Sequence, residues 1–135
     1  PGSAAATIAN GVVTGAMMSG TGAVRTFGVT VTGGEDVVPT GAVTASITVP
    51  ITGTIIRWYV SSDISGSIVF DILRSAVSIV GGGGNKPTLS GAASNNAAPT
   101  SWTSTAVTAG DIFYFNVDSS GTLTSATLVI AFNVT

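Results

Sequence analysis

The chain has no cysteine and no histidine, and its 135 residues include only four basic and six acidic side chains. Without cysteine there are no disulfide staples and no thiolate metal sites, and the redox compartment stays open. Without histidine, the commonest general base, the nucleophile–histidine pairs and the commonest neutral metal ligand are all missing. Charged residues make up 7% of the chain, against about 25% in an ordinary soluble domain. A formal charge of −2 offers no basic footprint to neutralise phosphates, so nucleic acid is not an expected partner. Long apolar runs are lacking too, despite a hydrophobic share of 44% and a mean hydropathy of +0.58. Gly, Ser and Thr interrupt every stretch before the ~18 residues that a spanning helix needs, and no membrane insertion is expected.

What is present is β-branched, hydroxyl-rich and glycine-rich. Disordered chains are poor in β-branched and aromatic residues, so disorder is not the reading. The length suits one domain, able to bury roughly 68% of its unfolded surface without staples. With so few charges, protection of strand edges falls to hydroxyls and to burial in a homo-oligomer. Pro1-Gly2-Ser3 reads as the remnant of a cleaved tag. On that reading the native segment starts near Ala4, with no signal peptide, as a piece of a longer protein would. Residues 4–22 are Ala/Gly/Thr-rich with neither period 2 nor period 3.6, the pattern of an extended arm or linker ordered against neighbouring subunits. Residues 23–135 are expected to form the domain.

There, alternation begins. Arg25, Phe27, Val29 and Val31 share one parity, and Thr26, Thr30 and Thr32 the other, as in a half-buried strand. Gly33 to Asp36 is a turn, and Val43 to Val49 alternates until Pro50 halts it. Thr54 to Ser61 predicts a third strand and Ser67 to Arg74 a fourth, with a turn at Asp63–Gly66 between them. Gly81 to Gly84, Lys86-Pro87 and Ala92 to Thr100 form a long polar excursion in which Leu89 is the only large apolar residue before Trp102. Short strand pieces are expected near 77–80 and 101–105. Thr108–Asp111 is a turn into the strand Ile112–Val117, Asp118–Gly121 another, and Leu123–Val134 a closing strand. With no convincing helix and seven or eight strands, the expected fold is all-β: an antiparallel two-sheet, jelly-roll-like sandwich.

Catalysis finds little support. Glu35, Asp36, Asp63 and Asp118 sit in Gly/Ser-rich turns and Asp111 begins a strand, where acids ordinarily bond nearby backbone N–H groups. Asp71 is mid-strand, and its expected partner is Arg74 or Arg57 across the sheet. The run Gly81–Gly84, Asn85, Lys86 lacks the Gly-Lys-Ser/Thr and the helix of a phosphate loop, so it reads as a flexible loop. Neither Glu35-Asp36 nor Asp63 has the spacing of a calcium loop. No catalytic residue, metal ligand or cofactor is assigned, and the chain is not read as an enzyme.

Non-covalent binding is the better prospect, because an aromatic ring beside hydrogen-bonding groups suits a sugar. Trp58 shares parity with Ile56 and Val60 and belongs to the core, which turns Tyr59 outward. Phe113, Phe115 and Val117 form the heavier face of their strand, which turns Tyr114 outward as well. Trp102 is either a core plug that pins the long loop or an exposed platform. Trp102, Tyr114 and Tyr59 are therefore the candidate glycan platform.

Several stretches, read in order, resemble a small β-sandwich domain that recurs in virion proteins of tailed bacteriophages. They are Phe27 to Gly34, Thr40-Gly41, Ile47 to Pro50, Ile56-Arg57-Trp58 and Ser65 to Ile72 in the first half. In the second half they are Lys86 to Ser90, Trp102-Thr103, Ala109-Gly110-Asp111 and Phe115 to Ser119. The resemblance covers roughly Phe27 to Thr135 and rests on the order of the pieces. It implies a virion location and a structural protein of a tail fibre, receptor-binding protein or capsid-associated decoration, but no residue-level site. The expected partners are further copies of the chain in a homotrimer, other virion proteins and a host-surface polysaccharide.

Two readings follow. An attachment module would display an exposed aromatic beside polar loops and gain from multivalent presentation. A purely structural domain would bury an apolar subunit interface and bind no sugar. A carbohydrate-binding module or adhesin domain of a secreted or cell-surface bacterial protein is the alternative source. A carbohydrate-active enzyme is a distant third, since it would need two acids, Asp71 or Asp118 among them, facing one cleft.

Overall fold

The structure is a computed structural model, and it describes residues 22–81 and 85–135. The expected tag remnant, the arm up to residue 21 and three glycines of the 81–84 run lie outside the described residues.

Eight strands follow one another, with no α-helix among the described residues: β1 (Val24–Thr32), β2 (Gly41–Val49), β3 (Gly53–Arg74), β4 (Val77–Ser78), β5 (Thr88–Ala97), β6 (Ala106–Val107), β7 (Asp111–Gly121) and β8 (Ser125–Val134). Every pairing is antiparallel. The strand order β1-β8-β3-β7-β2 makes one curled sheet, in which β3 belongs to both layers of a jelly-roll-like sandwich. Along one side, β3 pairs with β8 over Gly53–Ser62 and then with β7 over Ser67–Arg74. Along its other side lie β6, then β5, then β4.

The 22 residues of β3 are about four times the usual strand length of 5–6. They replace the two strands and the Asp63–Gly66 turn expected from the sequence. Asp63 does not cap a local turn. Its carboxylate reaches across to β8, accepting from the backbone N–H of Thr124 and Ser125, each at 3.2 Å, and from the Thr124 hydroxyl at 2.7 Å. The chain therefore bends from one layer into the other without reversing, and the pairing with β5 shifts register on both sides of Gly66. Gly66 is buried where the strand crosses, and a Cβ there would stand 2.7 Å from the Gly121 carbonyl oxygen.

Inward parity follows the apolar pattern. Ile68, Phe70 and Ile72 face Phe113, Phe115 and Val117, all essentially sealed from solvent. In the other layer Trp58 and Val60 face inward beside Leu128, Ile130 and Phe132. A bulge between Ile55 and Arg57 lets Ile55 also point inward, although it has the opposite parity to Trp58. Ile56, expected to share Trp58's side, is the residue that this bulge displaces to half-burial. Phe27 of β1 joins the layers: its ring stacks on Phe113 at 4.9 Å and 24°, and tilts against Phe132 at 5.9 Å. Such contacts add about 0.5–1.5 kcal/mol each beyond area burial. Among the described residues no polar side chain is buried.

Three further expectations change. The polar excursion contains β5, a ten-residue strand held by backbone pairing to β3 and by the buried Leu89. The strand piece expected at 101–105 lies slightly downstream, as β6. The turn expected at Asp118–Gly121 is strand, and reversal comes at Thr122, with φ of 77° and Leu123 N–H donating to Gly121 O at 3.0 Å.

Two outcomes test this arrangement. Gly66→Ala should lower stability by about 1–3 kcal/mol, because backbone must shift to admit the methyl group. Gly121→Ala, whose Cβ would meet nothing within 4 Å, should change it by no more than about 0.5 kcal/mol; urea midpoints of the two variants make the comparison. The Thr124 hydroxyl, opposed by some desolvation and helped by backbone N–H groups of Ser125 and Thr124, holds the Asp63 carboxyl below its ordinary 3.8. The stability from this depressed value is present above about that pH and fades as pH falls through the folded value. Asp63→Asn should therefore be less stable at neutral pH and show a shallower acid limb when unfolding is followed downward in pH.

Candidate functional site

On β7, Ile112, Tyr114 and Asn116 face outward between the buried Phe113, Phe115 and Val117. Tyr114 lies opposite Leu73 of β3 and Ser46 of β2, and Asn116 lies opposite Asp71 and Ala42. The β2 register slips between Ala42 and Ser46, so this edge strand bulges away from β7. Beside the bulge is a hollow of about 650 Å³, lined by Ala42, Val43, Asp71, Leu73, Tyr114 and Asn116 among others. A second hollow, of about 230 Å³, shares Tyr114 and Ser75 and is bounded by Arg74 and Asp111. Tyr114, 43% exposed, thus stands between two depressions along the strand. The tight β3–β4 turn closes one wall, with Ser75 and Ala76 at φ of 53° and 65°, a left-handed pair that normally favours Asn and Gly.

A polar network borders the larger hollow. Asp71 Oδ1 accepts from the Ser78 hydroxyl at 2.6 Å and from its neighbour Ile72 N–H at 2.8 Å. Lys86 Nζ donates to Asp118 Oδ2 at 2.5 Å and stands 3.6 Å from Asp71 Oδ2. Asn116 Nδ2 donates to Asp118 Oδ1 at 2.6 Å. At the other end Arg74 Nη1 donates to Asp111 Oδ2 at 3.3 Å and to Ala106 O at 2.6 Å. The hydrogen bond to Asp118 raises the Lys86 ammonium above its ordinary 10.5, against some desolvation and with help from Asp71. A hydrolytic pair needs space between its acids for a substrate oxygen and water. Between Asp71 and Asp118 that space holds the Lys86 ammonium.

The Asp71 partner expected from the sequence was Arg74 or Arg57, and it is Lys86 instead. Arg74 turns to Asp111, and Arg57 donates to Asn96 Oδ1 at 2.6 Å. Lys86 is the chain's one lysine. Its loop is drawn onto the sheet by the adjacent Pro87, whose carbonyl accepts from Phe70 N–H at 2.9 Å.

The three aromatic candidates do not converge. Tyr59, 43% exposed, lies between Val129 of β8 and Asn96 of β5, on the outer face of the other layer from Tyr114. Trp102 is half-buried against the core, and its indole N–H donates to Asn85 O at 2.8 Å, which anchors the segment between β5 and β6. Strand parity singles out Tyr114, but Asn116, Val43 and Leu73 join it only through cross-strand register and the β2 bulge. Among the described residues no three His, Cys, Asp or Glu cluster as a metal would require, and no helix is long and apolar enough to cross a membrane.

No protein-family model and no curated protein matches the chain. Among solved structures it is similar to a carbohydrate-binding module, CBM36, in complex with calcium and xylotriose, at 12% identity over 82% of this chain and 88% of that one, with a TM-score of 0.39. It is also similar to a chain of the cyanophage Pam1 capsid asymmetric unit, at 11% identity over 85% and 87%, TM-score 0.39. A chain of infectious bursal disease virus, Gx strain, matches at 15% identity over 85% of this chain and 38% of that one, TM-score 0.27. With TM-scores below 0.5, none of them bears on what this chain binds.

The Lys86 network carries a pH signature. Because the Lys86 value is raised in the folded chain, its contribution to stability is complete below about 10.5 and is lost as pH rises through the folded value. Lys86→Met should be less stable than the parent at neutral pH, and the gap should narrow through the lysine range in urea unfolding followed by tryptophan fluorescence. A gap that stays constant with pH would mean that the charge on Lys86 is not what stabilises the fold.

Proposed function

We propose that the chain is a non-catalytic domain of a bacteriophage virion, exposed as part of a fibre, decoration or tail-tip protein and engaged in attachment to the host surface. The observation that carries this reading is the state of the edges. Among the described residues β1, β2 and β5 are each paired along one side only, and together they carry a single charged side chain, Arg25. Monomeric proteins guard such edges with charge, proline or bulges. The β2 and β5 registers are interrupted and β2 is flanked by Pro39 and Pro50, but the nine β1 pairs run without a shift. An edge this regular suits a domain that lives in an assembly, and the sequence resemblance over Phe27–Thr135 suggests which one. The acids support a non-catalytic role: Asp71 and Asp118 bracket Lys86, Asp111 holds Arg74, and Asp63 fastens β8.

On this reading the working unit is a homotrimer, residues 4–22 are the segment that reaches a neighbouring copy, and other virion proteins and a host-surface polysaccharide are the further partners. The second reading is a carbohydrate-binding or adhesin domain of a secreted or cell-surface bacterial protein, and the two hollows beside Tyr114 favour it. Solution mass, measured by light scattering on a sizing column with and without residues 4–22, separates the two. The proposal expects three times the 13.2 kDa of the chain and loss of that assembly on truncation. A monomer at every concentration overturns it in favour of a tethered glycan-binding module.

A further inference from the structure

We infer that the two hollows flanking Tyr114 form one elongated binding site for a neutral oligosaccharide, with the Tyr114 ring as the surface on which a sugar stacks. The inference rests on the attachment reading for its biological setting, and on the geometry of β7 for its chemistry. Tyr114 is held in mid-strand between the buried Phe113 and Phe115, so its backbone is fixed and its ring is presented without a backbone ordering penalty. The Tyr114 hydroxyl has no hydrogen-bond partner among the described residues. An aromatic face with a free polar tip suits a pyranose, which has apolar C–H faces and a hydroxyl rim.

The placement of the hollows argues for more than one sugar unit. The larger, at about 650 Å³, falls within the roughly 300–1,000 Å³ of small-molecule sites. The smaller continues past the ring toward Asp111. Each offers hydrogen-bond acceptors: Asp71 and the Asn116 amide on one side of Tyr114, and Asp111 on the other. Asn116 uses an N–H on Asp118, which leaves its carbonyl oxygen for a ligand. Sugar hydroxyls are donors that such acceptors can take.

Charge narrows the class. Lys86 already bridges Asp71 and Asp118, and Arg74 is engaged by Asp111 and two further oxygens. One ammonium faces two carboxylates at the first end, and one guanidinium faces one carboxylate at the second. The face thus has no spare positive charge, and a uronic acid, sulfate or phosphate would meet acids whose cations are already committed. A purely apolar ligand would instead bury Asp71 without a partner for its remaining lone pairs. A neutral glycan avoids both penalties.

The experiment uses the full chain and two sets of immobilised oligosaccharides: neutral hexose and N-acetylhexosamine chains, and uronic-acid or sulfated chains. Neutral chains should bind and acidic ones should not. Tyr114→Ala should weaken binding about tenfold or more, ~1.4 kcal/mol, Tyr114→Phe should keep most of it, and Tyr59→Ala should leave it unchanged. Circular dichroism of each variant separates a lost site from a lost fold. Binding unaltered in a folded Tyr114→Ala, or binding confined to acidic chains, overturns the inference. So does a chain that assembles, holds Tyr114 inaccessible against a second copy and binds no glycan; that result leaves the assembly reading intact.

Discussion

Because β3 hydrogen-bonds to β8 over its first half and to β7 over its second, neither layer can form without the strand that also defines the other. The constraint is covalent as well as hydrogen-bonded: the layers cannot slide apart without breaking the ladder of a single segment. It also places the inner faces, since register on β8 fixes Trp58 and Val60 inward, and register on β7 fixes Ile68, Phe70 and Ile72 inward. A one-residue slip on either side would exchange buried and exposed residues along half of β3. Gly66 and Asp63 make the crossing workable, one by lacking a side chain where backbones meet, the other by tying the bend to the start of β8.

Scarcity of charge shapes the rest. Arg57, Arg74 and Lys86 each fasten a polar segment to the sheet: Asn96 in β5, the stretch around Ser104 to Asp111, and the loop before Pro87. Fully exposed pairs of this kind would be surface ornaments of small effect. Here Arg74 and Lys86 are half-buried, and they reinforce the apolar anchors of their segments, Val107 in β6 and Trp102 beside Asn85. The outer surface is then left to hydroxyls, as in the Thr30–Thr127 contact of 2.9 Å across β1 and β8, and to the few outward aromatics.

Strand identity and parity were legible where alternation is strong. Phe27, Val31, Phe70, Ile72, Phe113 and Phe115 announce their faces by period 2, and with them the outward direction of Tyr59 and Tyr114. Legibility ended where the deciding contacts are non-local. Asp63-Ile64-Ser65-Gly66 has the composition of a turn, and only its bonds to Thr124 and Ser125 show that the strand continues. β5 is nearly all small and polar, and its pairing is a matter of backbone groups, which the side-chain pattern does not encode. The hollow beside Tyr114 depends on a register slip in β2, and residue order alone does not reveal where an edge strand bulges. Lys86 reached Asp71 by a loop whose path periodicity could not trace.

The same β2 bulge links the proposed assembly edge with the proposed sugar site. Ala42 and Val43 form a wall of the larger hollow, and they belong to an edge strand whose outer side has no partner among the described residues. An assembly closed through β1, the unbroken edge, leaves the outer face of β7 open to a ligand. An assembly closed through β2 would add a strand beside Ala42 and deepen the hollow, so that the neighbouring copy would supply part of the wall. In either geometry the Tyr114 faces are repeated by the symmetry of the oligomer. A shallow site on a neutral surface binds weakly alone, and repetition at fixed spacing converts weak contacts into firm attachment. On the proposed reading the edge and the exposed ring are complementary parts of one arrangement: the first would bring copies together, and the second would give their number a use.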